Sequence, residues 1–363
     1  MHSEIPKHID GDGGFAADRW RGNAMDLISV IMPTHNASKW VTDTIDNLAA
    51  QTYPRFELIV ADDGSQDDTV SVVRAKLATS FRNPWRIIEL GVNQGPSAAR
   101  NVALKAATGT WVQYLDSDDF LAPTKFEMQA AHCAQVSADV SAVYSPWHQC
   151  HIDGGQLTLL GEMSQPDMRG RAPIMCLVGN DRVLQGASLT RRSVLERIGG
   201  WDETLRFWEC EEVTFRIAKA GRLERVASAS PLYFWRQHRD RPYIGDAKAR
   251  YQTTPVALSW IDLILRGLGH KSLVEAGLSV RDRQEILISI SFWARQLFRA
   301  DRTAFREFLG KAQQLEPNLA PASSAVLAAV SRGIGYEAAE AIAELGSGPM
   351  NLLRKLRRGL RLK

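Results

Sequence analysis

The chain has 363 residues, 45% of them hydrophobic and 23% charged, with 44 Lys and Arg against 41 Asp and Glu. That length calls for a large domain plus an accessory one, and the ordinary composition excludes wholesale disorder, collagen-like and coiled-coil classes. A formal net charge of +3 leaves no basis for a nucleic-acid partner.

Four cysteines, Cys133, Cys150, Cys176 and Cys210, are scattered without a CxxC pair. Neither a zinc site nor a disulfide framework is indicated, and a reducing compartment is expected. No secretory h-region and no run of about 18 apolar residues occurs, so the chain reads as cytoplasmic or peripheral to a membrane.

Residues 1–25, rich in Gly and Asp without apolar periodicity, read as a flexible leader. LISVIM (27–32) is then a short apolar run, a buried strand bounded by Pro33. Ser38 is placed to cap a helix whose apolar face is Trp40, Val41, Ile45 and Leu48. FELIVA (56–61) is a second strand ending at Asp62-Asp63-Gly64-Ser65, followed by a helix from Asp67 to Ala78. WRIIEL (85–90) is a third strand, and Gly95-Pro96-Ser97 opens the next helix, Pro being acceptable in a first turn. TWVQYL (110–115) is a fourth strand, stopped by Asp116-Ser117-Asp118-Asp119 ahead of a helix over Phe120–Ala134.

Strand–helix repeats with short connections imply a mostly parallel, Rossmann-like α/β sheet flanked by helices. Ligands of such sheets lie beyond the carboxyl ends of the strands, and all four strand ends carry polar clusters. Beyond about residue 250, Ile286, Ile290, Trp293 and Leu297 follow helical spacing, as do segments near 256–266, 303–315 and 335–345. The organisation expected is a leader (1–25), an α/β domain (26–245), an all-helical accessory region (246–348) and a basic amphipathic tail (349–363).

Asp116 and Asp118, one residue apart beyond a strand end, can share a divalent hard cation such as Mn²⁺ or Mg²⁺. Such an ion takes one or two carboxylates and fills its other sites with phosphate and water. An Asp-rich turn is the alternative. A carboxylate of Asp62 or Asp63 can accept hydrogen bonds from a base or a ribose. The helix start at Gly95 and the guanidinium of Arg100 suit a diphosphate.

Together, Val30-Ile31-Met32-Pro33-Thr34-His35-Asn36, Val60-Ala61-Asp62-Asp63-Gly64-Ser65, Asn93-Gln94-Gly95-Pro96-Ser97-Ala98-Ala99-Arg100-Asn101 and Tyr114-Leu115-Asp116-Ser117-Asp118-Asp119 resemble the family 2 glycosyltransferases. The resemblance covers roughly residues 26–240. It implies a GT-A fold and an inverting transfer of a sugar from a nucleoside diphosphate, with uridine favoured, to a hydroxyl of a glycan or lipid-linked acceptor. By that likeness Pro33, Thr34, Asn36, Asp62 or Asp63, and Arg100 hold the nucleotide diphosphate. Asp116 and Asp118 form the DXD pair, Asp116 near the ribose and Asp118 on the metal. His35 stands where the family often has an aromatic residue, and an imidazole can still stack on a base.

More loosely, Gly199-Gly200-Trp201-Asp202 resembles the family's acceptor-side turn, with Trp201 either lining that site or buried in the core. Trp235-Arg236-Gln237-His238 resembles a late segment whose His approaches the metal or diphosphate; a solvated loop histidine is the alternative. The general base is where the chain departs. Counting back from Arg216, the family's Glu-Asp pair falls on Glu209-Cys210. A thiol with a reference pKa of about 8.5, among Glu209, Glu211 and Glu212, is a poor base. The expectation is that a neighbouring carboxylate serves, Glu211 or Glu209 ahead of Glu212.

Two other classes stay open. Cys210 motivates a non-catalytic nucleotide-sugar-binding protein. A nucleotidyltransferase on a similar sheet is the other, although no Gly-rich triphosphate loop with its Lys follows the first strand. The tail, Asn351 to Lys363, is basic with no acid and has interleaved leucines, a pattern able to lie on an anionic membrane surface or to remain a solvated terminal helix.

Overall fold

The computed structural model describes residues 26–153, 156–178, 182–238 and 254–320, together with Ile9–Asp10, Ser331 and residues 335–341. The tail at 349–363 and all of the leader except Ile9–Asp10 lie outside the described residues. Two compact units are present: Met1–Cys176 with Asn180–Arg241, and Leu177–Gly179 with Pro242–Lys363.

In chain order the first unit runs β1 (Ile9–Asp10), β2 (Ile28–Thr34), α1 (Val41–Ala49), β3 (Phe56–Asp62), α2 (Thr69–Ser80), β4 (Trp85–Glu89), α3 (Pro96–Ala106), β5 (Trp111–Tyr114), β6 (Phe120–Leu121), α4 (Lys125–Cys133), β7 (Val140–Tyr144), β8 (Trp147–Asp153), β9 (Gln156–Ser164), β10 (Ser188–Arg191), α5 (Arg192–Arg197), α6 (Glu209–Ala220), β11 (Arg222–Arg225) and β12 (Tyr233–Arg236).

The described strands form an eight-stranded sheet in the order β1-β4-β3-β2-β5-β10-β7-β11 and a four-stranded sheet in the order β6-β12-β8-β9. In the large sheet β2 pairs in parallel with both β3 and β5, β3 with β4, and β7 with β11. Strand β10 enters antiparallel between β5 and β7. The order reverses at β2, with β3 on one side and β5 on the other. A crevice opens beyond the carboxyl ends at such a reversal.

The continuous apolar runs of the central strands reflect burial on both faces. Alternate residues divide between two cores: Val30, Met32, Leu58 and Val60 pack on one side with α1 and α2 residues such as Ile45 and Val73. Ile31, Ile59 and Ala61 pack on the other with Ala99, Ala103 and Ile217.

Three local expectations are corrected. Ser38 does not cap α1; its hydroxyl donates to Asp67, 2.7 Å away, and the helix begins at Val41. Phe120 does not open a helix: Phe120–Leu121 pairs antiparallel with Phe234 and Tyr233, and α4 starts only at Lys125. Pro123 disfavours helical backbone at Ala122, which separates the two elements. Within the expected leader, Ile9 and Asp10 pair antiparallel with Ile88 and Ile87.

The second unit contains α7 (Thr254–Gly267), α8 (Val280–Ala300) and α9 (Arg302–Leu315). Ser279 accepts a hydrogen bond from the Asp282 N–H at 3.1 Å, and Asp301 accepts from Thr303 and Ala304 at 3.0 Å each, capping α8 and α9. Ile286, Ile290, Trp293 and Leu297 are buried on α8, as their spacing required. No helix among the described residues is long and apolar enough to cross a membrane.

Candidate active site

The turn after β5 ties its four residues to α3, α1, β12 and the segment just beyond β12. Asp116 accepts from Arg100 Nη2 at 2.7 Å. The Ser117 carbonyl accepts from the Thr44 hydroxyl at 3.0 Å. Asp118 Oδ2 lies 2.8 Å from His238 Nε2. Asp119 is buried, accepting from the Tyr233 hydroxyl and, at 2.8 Å, from the Arg236 N–H. Burial, with Asp118 and Asp116 beside it, holds the Asp119 carboxyl well above the ordinary range. Asp119 therefore ties the turn to β12, while Asp118 remains part-exposed at the crevice.

The small sheet, which sequence periodicity did not signal, is what brings His238 to the site. Strand β12 runs between β6 and β8 and ends at Arg236, two residues before the histidine. The His238 ring also lies 4.6 Å from the Trp40 ring. His238 is thus largely buried against Asp118 rather than free in solvent.

Beyond β2, Asn36 adopts a left-handed backbone, φ 48°. Its N–H donates to Ser65 Oγ at 2.9 Å, and its Oδ1 accepts from the Gln66 N–H at 2.8 Å, joining this loop to the one after β3. The exposed His35 ring is fixed by contacts of its Nδ1 with the Asp63 carbonyl at 2.8 Å and of its Nε2 with the side-chain amides of Asn36 and Asn93 at 3.0 and 3.1 Å. Pro33 and Thr34 are buried in β2, where Thr34 Oγ1 donates to Asp62 at 3.1 Å.

Asp62 also accepts from the Ser65 N–H at 2.9 Å, and Asp63 accepts from the Gln94 and Gly95 N–H groups at 2.7 and 2.8 Å. Both carboxylates are buried, so they shape the loops that line the crevice. Gly64 is required where it stands: its φ is +68°, and a Cβ there would meet the Val92 carbonyl carbon at 2.7 Å.

Arg100 is only 5% exposed. Burial works against its charge, but Asp116 and the acidic groups near it hold it protonated. Its guanidinium lies 4.3 Å from the centre of the Trp201 ring, and Trp201 meets Tyr114 edge-on at 5.0 Å. Trp201 itself is 3% exposed, in the cluster with Ala99 and Ile217. Of its two sequence readings, core aromatic is the one seen. Asp202 caps the next turn through Thr204, its Oδ1 accepting the Thr204 N–H at 2.9 Å.

Helix α6 carries the remaining candidates. Trp208, just before it, is left-handed at φ 66°. Cys210 packs partly buried against the cluster of Val213, Ile217 and Trp201. Burial, then Glu209, pushes its thiol well above the ordinary cysteine value. Glu211 is paired with Arg182, and Glu212 is held through both oxygens by Arg216 at 2.6 Å. Glu209 forms no salt bridge among the described residues; burial raises its carboxyl above the ordinary value, against the pull of Arg100. Arg182, the partner of Glu211, was not signalled by any motif. Its role depends on a contact spanning 29 residues.

The parallel sheet that reverses its order at β2, with the second small sheet beside it, is a fold of the GT-A type. Residues 29–199 match the family model described as Glycosyl transferase family 2. A Haemophilus influenzae protein named an uncharacterized glycosyltransferase is 31% identical over 170 residues, 47% of this chain and 64% of its own length. The poly(ribitol-phosphate) beta-N-acetylglucosaminyltransferase TarS of Staphylococcus aureus is 38% identical over 121 residues, 32% of this chain and 20% of that protein.

An Escherichia coli protein named UDP-Glc:alpha-D-GlcNAc-diphosphoundecaprenol beta-1,3-glucosyltransferase, WfgD, is 38% identical over 103 residues, 28% of this chain and 39% of its own. The chain thus spans less than two thirds of each of these relatives. The crystal structure of TarS residues 1–349 with UDP-GlcNAc shares the fold, with a TM-score of 0.57 at 20% identity over 88% of this chain and 92% of that one.

Proposed function

We propose that the protein transfers a sugar from a uridine diphosphate sugar to a hydroxyl of a glycan or lipid-linked acceptor, with inversion, and that a divalent metal assists. The observation that carries this reading is the Asp118–His238 pair, 2.8 Å apart at the reversal of strand order. The names of TarS and WfgD, which specify N-acetylglucosaminyl and glucosyl transfer, support the sugar class and the polymeric or lipid-linked acceptor.

The donor set fits such a metal. Asp118 offers a carboxylate, His238 an imidazole, and Asp116 the oxygen that Arg100 leaves uncontacted. No group of three or more His, Cys, Asp or Glu able to hold an ion occurs among the described residues. Asp118 with His238 is a two-ligand set, which suits Mn²⁺ or Mg²⁺, an ion that completes its shell with phosphate oxygens and water. When bound, the ion offsets negative charge on the diphosphate. Arg100 fixes Asp116, Asp119 fixes the turn on β12, and Asp63 fixes the loop after β4. The exposed, immobilised His35 ring offers a stacking surface for the base.

Thermal-shift measurements on the full chain with UDP-, GDP- and dTDP-sugars, each with and without Mn²⁺, test this. Stabilisation by a UDP-sugar that grows with Mn²⁺ is expected. Stabilisation by none of them contradicts it, and Mn²⁺-independent UDP-sugar binding removes the metal. Pyrophosphate in place of UDP as product indicates a nucleotidyltransferase.

A further inference from the structure

The family's usual base position is occupied here by Cys210, and the way α6 is packed decides which group replaces it. A helix turns about 100° per residue, so Cys210, Val213 and Ile217 share one stripe. That stripe enters the core with Trp201 and Tyr114, and the thiol is directed into packing. Glu211, two residues from Glu209, is buried at 6% exposure and committed to Arg182. Glu212 is committed to Arg216 through both oxygens, and Arg216 is anchored in turn on the Ile198 carbonyl at 2.8 Å. Taking a proton at either carboxylate means giving up a partly or wholly buried ion pair, which leaves the arginine's charge uncompensated.

Glu209 differs in three respects. It is half-buried with no salt bridge among the described residues. It directly follows Trp208, whose left-handed backbone is unfavourable for a bulky side chain and sets the entry of the chain into α6. Its electrostatic neighbours are Arg100 and Asp116, the pair that links α3 to the turn after β5. Arg100 is itself 5% exposed, and its Nε and Nη1 have no hydrogen-bond partner among the described residues.

We infer that Glu209 is the general base of this chain, one residue before the position its family uses, and that Cys210 is a packing residue. This rests on the glycosyl-transfer reading above. In the step, the acceptor oxygen bonds to the anomeric carbon as the bond from that carbon to the diphosphate oxygen breaks. The acceptor proton passes to a Glu209 carboxylate oxygen, and the electron pair of the broken bond leaves on the diphosphate.

The test uses the full chain with UDP-GlcNAc and UDP-glucose as probes, Mn²⁺ present and water as acceptor, reading UDP release and probe binding separately. The expected result is that Glu209→Gln lowers kcat at least tenfold, with probe affinity and melting temperature close to wild type. The acid limb of the pH profile disappears in Glu209→Gln, reappears in Glu209→Asp and persists in Cys210→Ala.

Turnover by Glu209→Gln above a tenth of wild type overturns the assignment, as does loss of the limb in Cys210→Ala. A wild-type protein that binds a probe but releases no UDP overturns the base while leaving nucleotide-sugar binding standing. Failure to bind either probe overturns both readings. Should Glu209→Gln not fold, the wild-type profile decides: an acid limb above the ordinary Glu range supports Glu209, and a flat profile overturns it.

Discussion

His238 Nε2 and Asp118 Oδ2 stand 2.8 Å apart although 120 residues separate them in the chain. The contact depends on β12 lying beside β6, which places the end of the small sheet against the turn that follows β5. If the pair holds a metal, His238→Ala keeps the fold and loses the effect of Mn²⁺ on UDP affinity. At least a tenfold loss is expected, the lower end of what disturbing a metal's supporting groups costs. Calorimetric titration of UDP with and without Mn²⁺ measures it; an undiminished Mn²⁺ effect would show that the histidine is no ligand.

Trp201 serves as packing for Arg100. Trp201→Ala should destabilise the chain by about 3–5 kcal/mol, the cost of emptying a buried aromatic site, since the ring and its contact with the guanidinium are both lost. Urea denaturation gives the value. A wall of the acceptor site would behave differently, raising the acceptor KM with little change in stability.

Asp67 provides a pH-dependent clasp. Slight burial opposes its charge, but hydrogen bonds from Thr69 and Ser38 lower its carboxyl from 3.8 to about 2. A carboxyl depressed in the folded state contributes stability above the unfolded value and loses it as pH falls through the folded one. The contribution is therefore intact above about pH 4 and gone below about pH 2. Asp67→Ala should cost about 1 kcal/mol at neutral pH, as loss of a helix-capping side chain does. The deficit should shrink across that window, as followed by chemical denaturation at several pH values.

For transfer itself, a base must be unprotonated, so activity falls as pH drops through its pKa. Burial raises the Glu209 carboxyl, which moves the acid limb of kcat/KM above the ordinary Glu range. A limb at or below that range would point to a solvated carboxylate.

Much of this was legible in the sequence because central parallel strands leave continuous apolar runs and their loops begin in Asp, Asn and Gly. The polar clusters beyond β2, β3 and β5 were readable for that reason, although β2 runs on through Pro33, which the sequence placed at its boundary, to Thr34. So was the weakness of Cys210 as a base, although burial outweighs the neighbouring carboxylates that the sequence made visible. What could not be read are contacts made by tertiary placement.

Glu209, Glu211 and Glu212 look alike in sequence, and only Arg182 and Arg216 tell them apart. The expectation of Glu211 or Glu209 ahead of Glu212 gave no weight to the Arg182 ion pair. Asp119 offered the same Asp signal as Asp118, yet its contacts with Tyr233 and Arg236 turn it inward. The short strand Phe120–Leu121 was invisible because two residues carry no period.

Glycosyl transfer from a UDP-sugar is tested most directly by incubating the full chain with UDP-GlcNAc or UDP-glucose and Mn²⁺ and quantifying free UDP over time. The account predicts UDP release that requires Mn²⁺ and falls at least tenfold in Asp118→Asn. Release of no UDP from either sugar, or release that is equal with and without Asp118, would contradict it.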